Sequence, residues 1–155
     1  MANFANGAQA QIILQLVVAV VLGGLIGLER EYKGKEAGLQ TYSLVSLGSC
    51  LFTIVAAALF YSFKDLPGVS FDPSRIVLAV CTGIGFIGAG VIIYRQFHIE
   101  GLTTAAGLWL VSAIGVAVGA KMYLVALAGT VLAIVILVVF GELERKAIKR
   151  NKPRL

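Results

Sequence analysis

The sequence predicts an all-α integral membrane protein, a bundle of five transmembrane helices, and two observations carry that prediction. Of the 155 residues, 59% are hydrophobic and only 14% charged, with a mean hydropathy of +0.92, whereas a soluble domain carries about 25% charged residues. The apolar residues also gather into five stretches at or near the roughly 20 residues that a helix needs to cross a hydrocarbon core of about 30 Å. Backbone amides in lipid must be satisfied within their own segment, so each stretch is expected to be a helix. Too little chain is left over for a second, soluble domain.

The first span is expected over 8–28, its start diluted by Gln9, Gln11 and Gln15. No Lys or Arg precedes it, and Glu29–Arg30–Glu31 follows it in place of an Ala-x-Ala site, which argues against a cleaved signal peptide. The second span is expected over 39–60. The third, 74–94, is introduced by "FDPSR", where Asp72 suits the N-cap and Pro73 the first helical position. The fourth, 102–120, and the fifth, 122–140, are separated by little more than Lys121, so they form a tight hairpin. Residues 141–155 form a basic cytosolic tail, "ERKAIKRNKPR", read as a topology anchor, with anionic lipid or a protein partner as the other reading.

Orientation follows from the cations. With the N-terminus outside, ten of the 13 Lys and Arg fall on the inner side, leaving Lys64, Arg75 and Lys121 outside, as the positive-inside rule requires. Tyr32, Tyr42, Tyr61, Tyr94 and Tyr123 fall at span ends, where amphipathic rings are enriched. Trp109 lies deeper, and its indole N–H needs an acceptor, so it is expected to face protein. Cys50 and Cys81 lie in apolar runs and read as small packing residues rather than a disulfide. His98 reads as a solvated loop residue.

A shift of 63 residues aligns Gly38, Leu39 and Thr41 with Gly101, Leu102 and Thr104, Gly27 with Gly90, and Ser49 with Ser112. Helices one and two would then form a parallel repeat with helices three and four, and helix five would be an addition.

The third span contains "TGIGFIGAG". At about 100° per residue, Gly83 and Gly90 share one side, and Gly85 and Gly88 lie on the opposite one. Small residues let backbones approach closely in lipid, so helix three is expected to be central and gripped from two sides. Gly23 and Gly27 in helix one, and Gly115 and Gly119 in helix four, repeat the device. The alternative for helix three is a locally broken helix lining a polar site.

Polar residues cluster at the boundaries. Arg75, a cation near a helix N-terminus on the outer side, is a candidate functional residue with Asp72 its nearest partner. Glu29 and Glu31, with Arg30 between them, and Asp72 are candidate oxygen ligands for Mg²⁺, or members of an ion-paired loop. Thr41, Thr103 and Thr104 can cap helices two and four, whose N-termini could hold an anion. No Asp, Glu or Lys stands in the middle third of any span, a poor fit to proton-coupled transport. With no GxSxG, HExxH or P-loop, neither enzyme activity nor a cofactor is expected. No nucleic-acid partner is expected either.

Together "GGLIGLERE" (23–31), "GLQTYSLVSLGS" (38–49), "DPSRI" (72–76), "GIGFIGAGVI" (83–92) and "GLTTAAGLWLVSAIG" (101–115) resemble the membrane domain of the MgtC/SapB family over residues 10 to 140. That resemblance implies a bacterial inner-membrane protein tied to growth under magnesium limitation. Some members support survival inside host cells and restrain the F-type ATP synthase. The family pattern near residue 40 reads Gly-Leu-Arg-Thr, and Gln40 stands here in place of the Arg, against an anion role for that loop. The soluble C-terminal domain of many members, similar to an ACT domain, is not expected in this chain.

Three functions compete. One is a non-enzymatic regulator that packs against a membrane partner or forms a homo-oligomer. Another is a small transporter or channel for Mg²⁺ or another solute, lined by Asp72, Arg75, Thr82 and Trp109. The last is a purely structural bundle.

Overall fold

A computed structural model describes residues 2–68, 70, 72–95 and 98–150. Helix α1 spans Ala2–Tyr32, α2 Leu39–Phe63 and α3 Ser74–Val91. A two-stranded hairpin, β1 Ile93–Arg95 against β2 His98–Glu100, leads into α4 Leu102–Gly119. Helix α5, Tyr123–Val135, passes through a π-helical stretch, Ile136–Phe140, into α6, Gly141–Arg150. Five segments are long and apolar enough to cross a membrane: Gln9–Tyr32, Leu39–Phe63, Ser74–Val91, Leu102–Gly119 and Tyr123–Leu143.

The third span is three residues shorter than expected. Its last turn is weakened by Gly88 and Gly90, poor helix formers, and Ile92 and Ile93 then leave the helix for an extended conformation that suits β-branched residues. Tyr94 pairs opposite Ile99, and the backbone of His98 opposite Arg95; the side chains of those last two lie outside the described residues, as do the tail residues beyond 150. Gly101 closes the hairpin at φ 86. A Cβ there would strike the Val91 carbonyl, so only glycine fits. As expected, α4 and α5 form a tight hairpin, turned by Lys121 at φ 64.

The core belongs to α1, α2 and α4. Ala19, Leu22 and Ile26 meet Tyr42 and Cys50 of α2 and Leu108, Val111, Ile114 and Val118 of α4. What makes this packing possible is a pairing of small residues. Buried Ser46, Ser49, Cys50 and Thr53 form one stripe of α2, and glycines of both neighbours lie against it. A Cβ on Gly23 would fall 2.7 Å from the Cβ of Ser46, and one on Gly119 2.6 Å from that of Thr53. A Cβ on Gly115 would meet the Ser46 carbonyl, and one on Gly107 the Tyr42 hydroxyl. Ser49 and Thr53 return their hydroxyls to the carbonyls of Val45 and Ser49, leaving Ser46 Oγ as the one hydroxyl of the stripe without a partner.

Helix α3 is not the gripped centre the sequence predicted. It leans on α4 and scarcely touches α2, and only Ile84 and Gly88 are buried. Gly88 rests on Ala105, but a Cβ on Gly83, Gly85 or Gly90 would meet nothing within 4 Å. Nor is α3 broken; it is helical throughout Ser74–Val91. Of the four glycines that define its two faces, Gly88 alone is closed against another helix of this chain.

Candidate functional site

Charged side chains converge at one end of the bundle, where α1 ends and α2 and α4 begin. Helix α1 stops in a Schellman motif. Gly34, at φ 62, takes the left-handed position; its N–H reaches the Glu31 carbonyl, and that of Lys35 the Arg30 carbonyl. This turn holds Glu29, Arg30 and Lys33 over the bundle end, with the two cations where the helix dipole favours them.

Arg30 is 3% exposed, and its guanidinium donates to Thr104 Oγ1 at 3.2 Å. The Thr104 hydroxyl in turn donates to Glu36 Oε2 at 2.7 Å. Tyr42, which is fully buried, donates its hydroxyl to the Thr104 carbonyl at 3.2 Å. On the other flank, Glu29 Oε2 lies 3.8 Å from Arg30 and Glu29 Oε1 2.7 Å from Lys33 Nζ. Neither oxygen accepts a well-directed hydrogen bond, so the attraction there is an ion pair held by proximity. Lys33 spends a proton elsewhere, donating to the Leu137 carbonyl at 2.9 Å. That carbonyl lies in the π-helical stretch, where the i→i+5 pattern disturbs the usual ladder, and an unpaired carbonyl in lipid is costly. Two acids thus balance two bases, and together they tie the end of α1, the α1–α2 turn, the start of α4 and the fifth span. Glu36 stays in the turn, its carboxyl held below the ordinary value by its own backbone N–H and then by the Thr104 hydroxyl.

Several expected roles are replaced. Neither α2 nor α4 has a side-chain cap. Glu31 Oε2 accepts the Leu39 N–H at 2.8 Å, so Glu31 and not Thr41 serves the start of α2. Thr104 lies buried in the charge network, and Thr103 is exposed. Thr41 borders a small polar hollow with Glu31, Lys35 and Gln40. Tyr42, expected at the lipid interface, is a core residue because its ring fills the space over Gly107. With Glu29 ion-paired and Glu31 engaged, the Mg²⁺ ligand set is not assembled: among the described residues no three His, Cys, Asp or Glu side chains come together.

The opposite end of the bundle holds the rest. Asp72 Oδ1 accepts the Ser74 N–H at 2.9 Å and the Ser74 hydroxyl at 2.6 Å, so Asp72 caps the start of α3 as expected, two positions before Ser74. Those two bonds hold its carboxyl below the ordinary range. No ion pair joins Asp72 to Arg75 among the described residues; Arg75 instead borders an apolar trough of about 830 Å³ between α2 and α3. Thr82 is exposed and returns its hydroxyl to the Leu78 carbonyl. Trp109 is 54% exposed, contrary to expectation, although its indole finds an acceptor in Cys81 Sγ at 3.1 Å. Cys50 and Cys81 are free thiols. The four residues expected to line a pathway therefore do not share a lumen.

Sequence reasoning missed Lys33, Glu36, Tyr42 and Gln15. Gln15 is 1% exposed, and its amide donates to the Val118 and Gly119 carbonyls, closing the last turn of α4. Its signal was in view: a carboxamide inside an apolar run must find partners.

These features define a class, a multi-pass α-helical membrane protein with one end closed by a charge-balanced cluster. The chain belongs to the MgtC family, which matches residues 16–146. It is 44% identical over 142 residues to the "Putative magnesium transporter YhiD" of Escherichia coli K12, covering 92% of this chain and 66% of that protein. It is 42% identical to "Protein SapB" of Bacillus subtilis over 72% of this chain and 49% of that one. With "Protein MgtC" of Brucella abortus it shares 40% identity over 78% of this chain and 48% of that protein. The chain thus spans between about half and just under two thirds of the length of these relatives. No solved structure matches it.

Proposed function

We propose that this protein is a non-enzymatic inner-membrane regulator in adaptation to magnesium limitation, acting by packing α3 against a membrane partner. The observation that carries this reading is the unmatched glycine surface of α3. Gly85 and Gly90 face open space outside the α2–α3 trough, while Gly23, Gly27, Gly115 and Gly119 are closed against neighbours. Glycine weakens a helix and is compensated in lipid by close backbone contact, a contact this chain does not supply for α3. The partner is a second copy or another membrane protein, with the F-type ATP synthase a candidate by resemblance. The charge cluster faces the cytosol and the N-terminus the outside, as the distribution of cations favours.

A photoreactive residue in place of Gly85, in native membranes at low magnesium, is expected to cross-link α3 to a protein. Gly85→Leu is expected to abolish growth at low magnesium while the protein still accumulates. Recovery of monomer alone, with growth intact in Gly85→Leu, overturns the reading.

The name of the Escherichia coli relative favours a second reading, transport of Mg²⁺ or another small solute. Flux in proteoliposomes that is lost in Arg75→Ala would support it, and no flux would retire it.

A further inference from the structure

The trough between α2 and α3 runs from Leu44 to Leu59 on one wall and from Arg75 to Ile87 on the other, about 20 Å at 1.5 Å per residue. Gly48 and Gly83 open its floor, since a Cβ on either would meet nothing within 4 Å. Its lining includes a single charged side chain, Arg75, in the first turn of α3 at the start of the span. Asp72 is turned to Ser74, and Arg75 makes no ion pair or side-chain hydrogen bond among the described residues.

One cation at the mouth of an apolar trough is the complement of an amphiphile with an anionic head. The dimensions agree. The volume of about 830 Å³ lies within the roughly 300–1,000 Å³ of small-molecule pockets, which are apolar with few orienting polar groups. One leaflet is about 15 Å deep, half of a 30 Å core, so an acyl chain starting at Arg75 stays within the trough. The head-group position is favourable too. A cation at a helix N-terminus is opposed by the dipole, whereas a phosphate beside the Arg75 guanidinium gains a charge-assisted hydrogen bond; the first amides of α3 are already engaged by Asp72 and Pro73, so the guanidinium alone holds the head.

We propose that the α2–α3 trough binds an anionic phospholipid, its phosphate against the Arg75 guanidinium and its acyl chains over Gly48 and Gly83. This site is separate from the charge cluster and does not depend on the regulatory reading.

Native mass spectrometry of the full chain, released from a neutral detergent with dioleoyl phosphatidylglycerol or dioleoyl phosphatidylcholine, tests it. Wild type is expected to retain phosphatidylglycerol about fivefold over phosphatidylcholine, the ratio expected of one basic residue at an anionic head. Arg75→Ala is expected to remove that preference and Arg75→Lys to keep most of it. Gly48→Phe, which fills the trough, is expected to lose both lipids. Both positions are open, so these variants should fold. Equal retention of the two lipids by wild type overturns the proposal, as does retention unchanged in both Arg75→Ala and Gly48→Phe. A photoreactive residue at Gly48 that labels protein instead of lipid in native membranes overturns it as well, by placing a helix in the trough.

Discussion

Helices α3 and α4 are both apolar, both 18 residues long and both rich in glycine, yet they occupy opposite environments. Half of α4 is buried, against 11% of α3. Glycine content does not separate them; what stands opposite does. Gly107, Gly115 and Gly119 of α4 meet a hydroxyl, a carbonyl and a Thr Cβ of α2, because that helix carries its own stripe of small side chains. No such stripe in this chain lies against Gly83, Gly85 or Gly90. A small-residue face is therefore half of a contact, and its meaning depends on finding the other half. For α4 that half lies within the chain, and for α3 it must come from the surroundings.

The largest effect should come from the cluster that locks α4 to α1. Arg30→Met removes the guanidinium shared by Thr104 and Glu29 and leaves a buried carboxylate with Lys33 as its remaining cation. Breaking a buried ion pair from one side costs about 3–5 kcal/mol, and Lys33 should hold the loss near the lower end. Unfolding in mixed micelles measures it. A loss as small as that of an exposed charge would mean that α4 is held by packing alone.

The glycines themselves give the sharper test. Gly115→Ala drives a methyl group into the Ser46 carbonyl and Ser49, and overpacking of this kind costs about 1–3 kcal/mol. Gly83→Ala adds the same methyl group in open space, and its helix propensity should stabilise the monomer, by no more than about 1 kcal/mol. Opposite signs in the same unfolding assay are expected. Equal losses would show that α3 is already packed in the purified protein, and the comparison would fail.

Much of the fold was legible because lipid leaves the backbone few options: five apolar stretches had to be five helices, and the ends of α2 and α4 followed closely from composition. The centre of the bundle was not. Glycine density singled out α3, but a wheel drawn for one helix cannot show which neighbour presents matching small residues, and the Ser46–Thr53 stripe drew no notice because serine and threonine look ordinary in sequence. The candidate site was half visible. Arg30, Glu29 and Thr104 stood out as charges and hydroxyls at span ends, whereas Tyr42 was mistaken for an interfacial ring, since depth along a helix does not say which side faces protein. Lys33 could not be placed at all, because its acceptor is a carbonyl in a π-helical stretch more than a hundred residues away.

The smallest effect expected is a pH dependence, and it probes the edge of the same cluster. Glu36 is exposed and is held below the ordinary glutamate value by its backbone N–H and the Thr104 hydroxyl. A carboxyl with a lowered folded pKa stabilises the fold fully above its unfolded value, about 4.3, and that contribution disappears as the pH falls through the lower folded value. Stability should therefore decline on acidification below about pH 4.3, by no more than about 1 kcal/mol, as for an exposed charge in water. Glu36→Gln keeps an acceptor for Thr104 but has no proton to gain, so it should flatten that part of the profile and leave the neutral-pH value nearly unchanged. The difference between the two profiles isolates Glu36 from the other acids. A variant that loses stability equally at every pH would make Glu36 a packing residue of the turn, and the closure of the α4 end would then rest on Arg30 and Tyr42 alone.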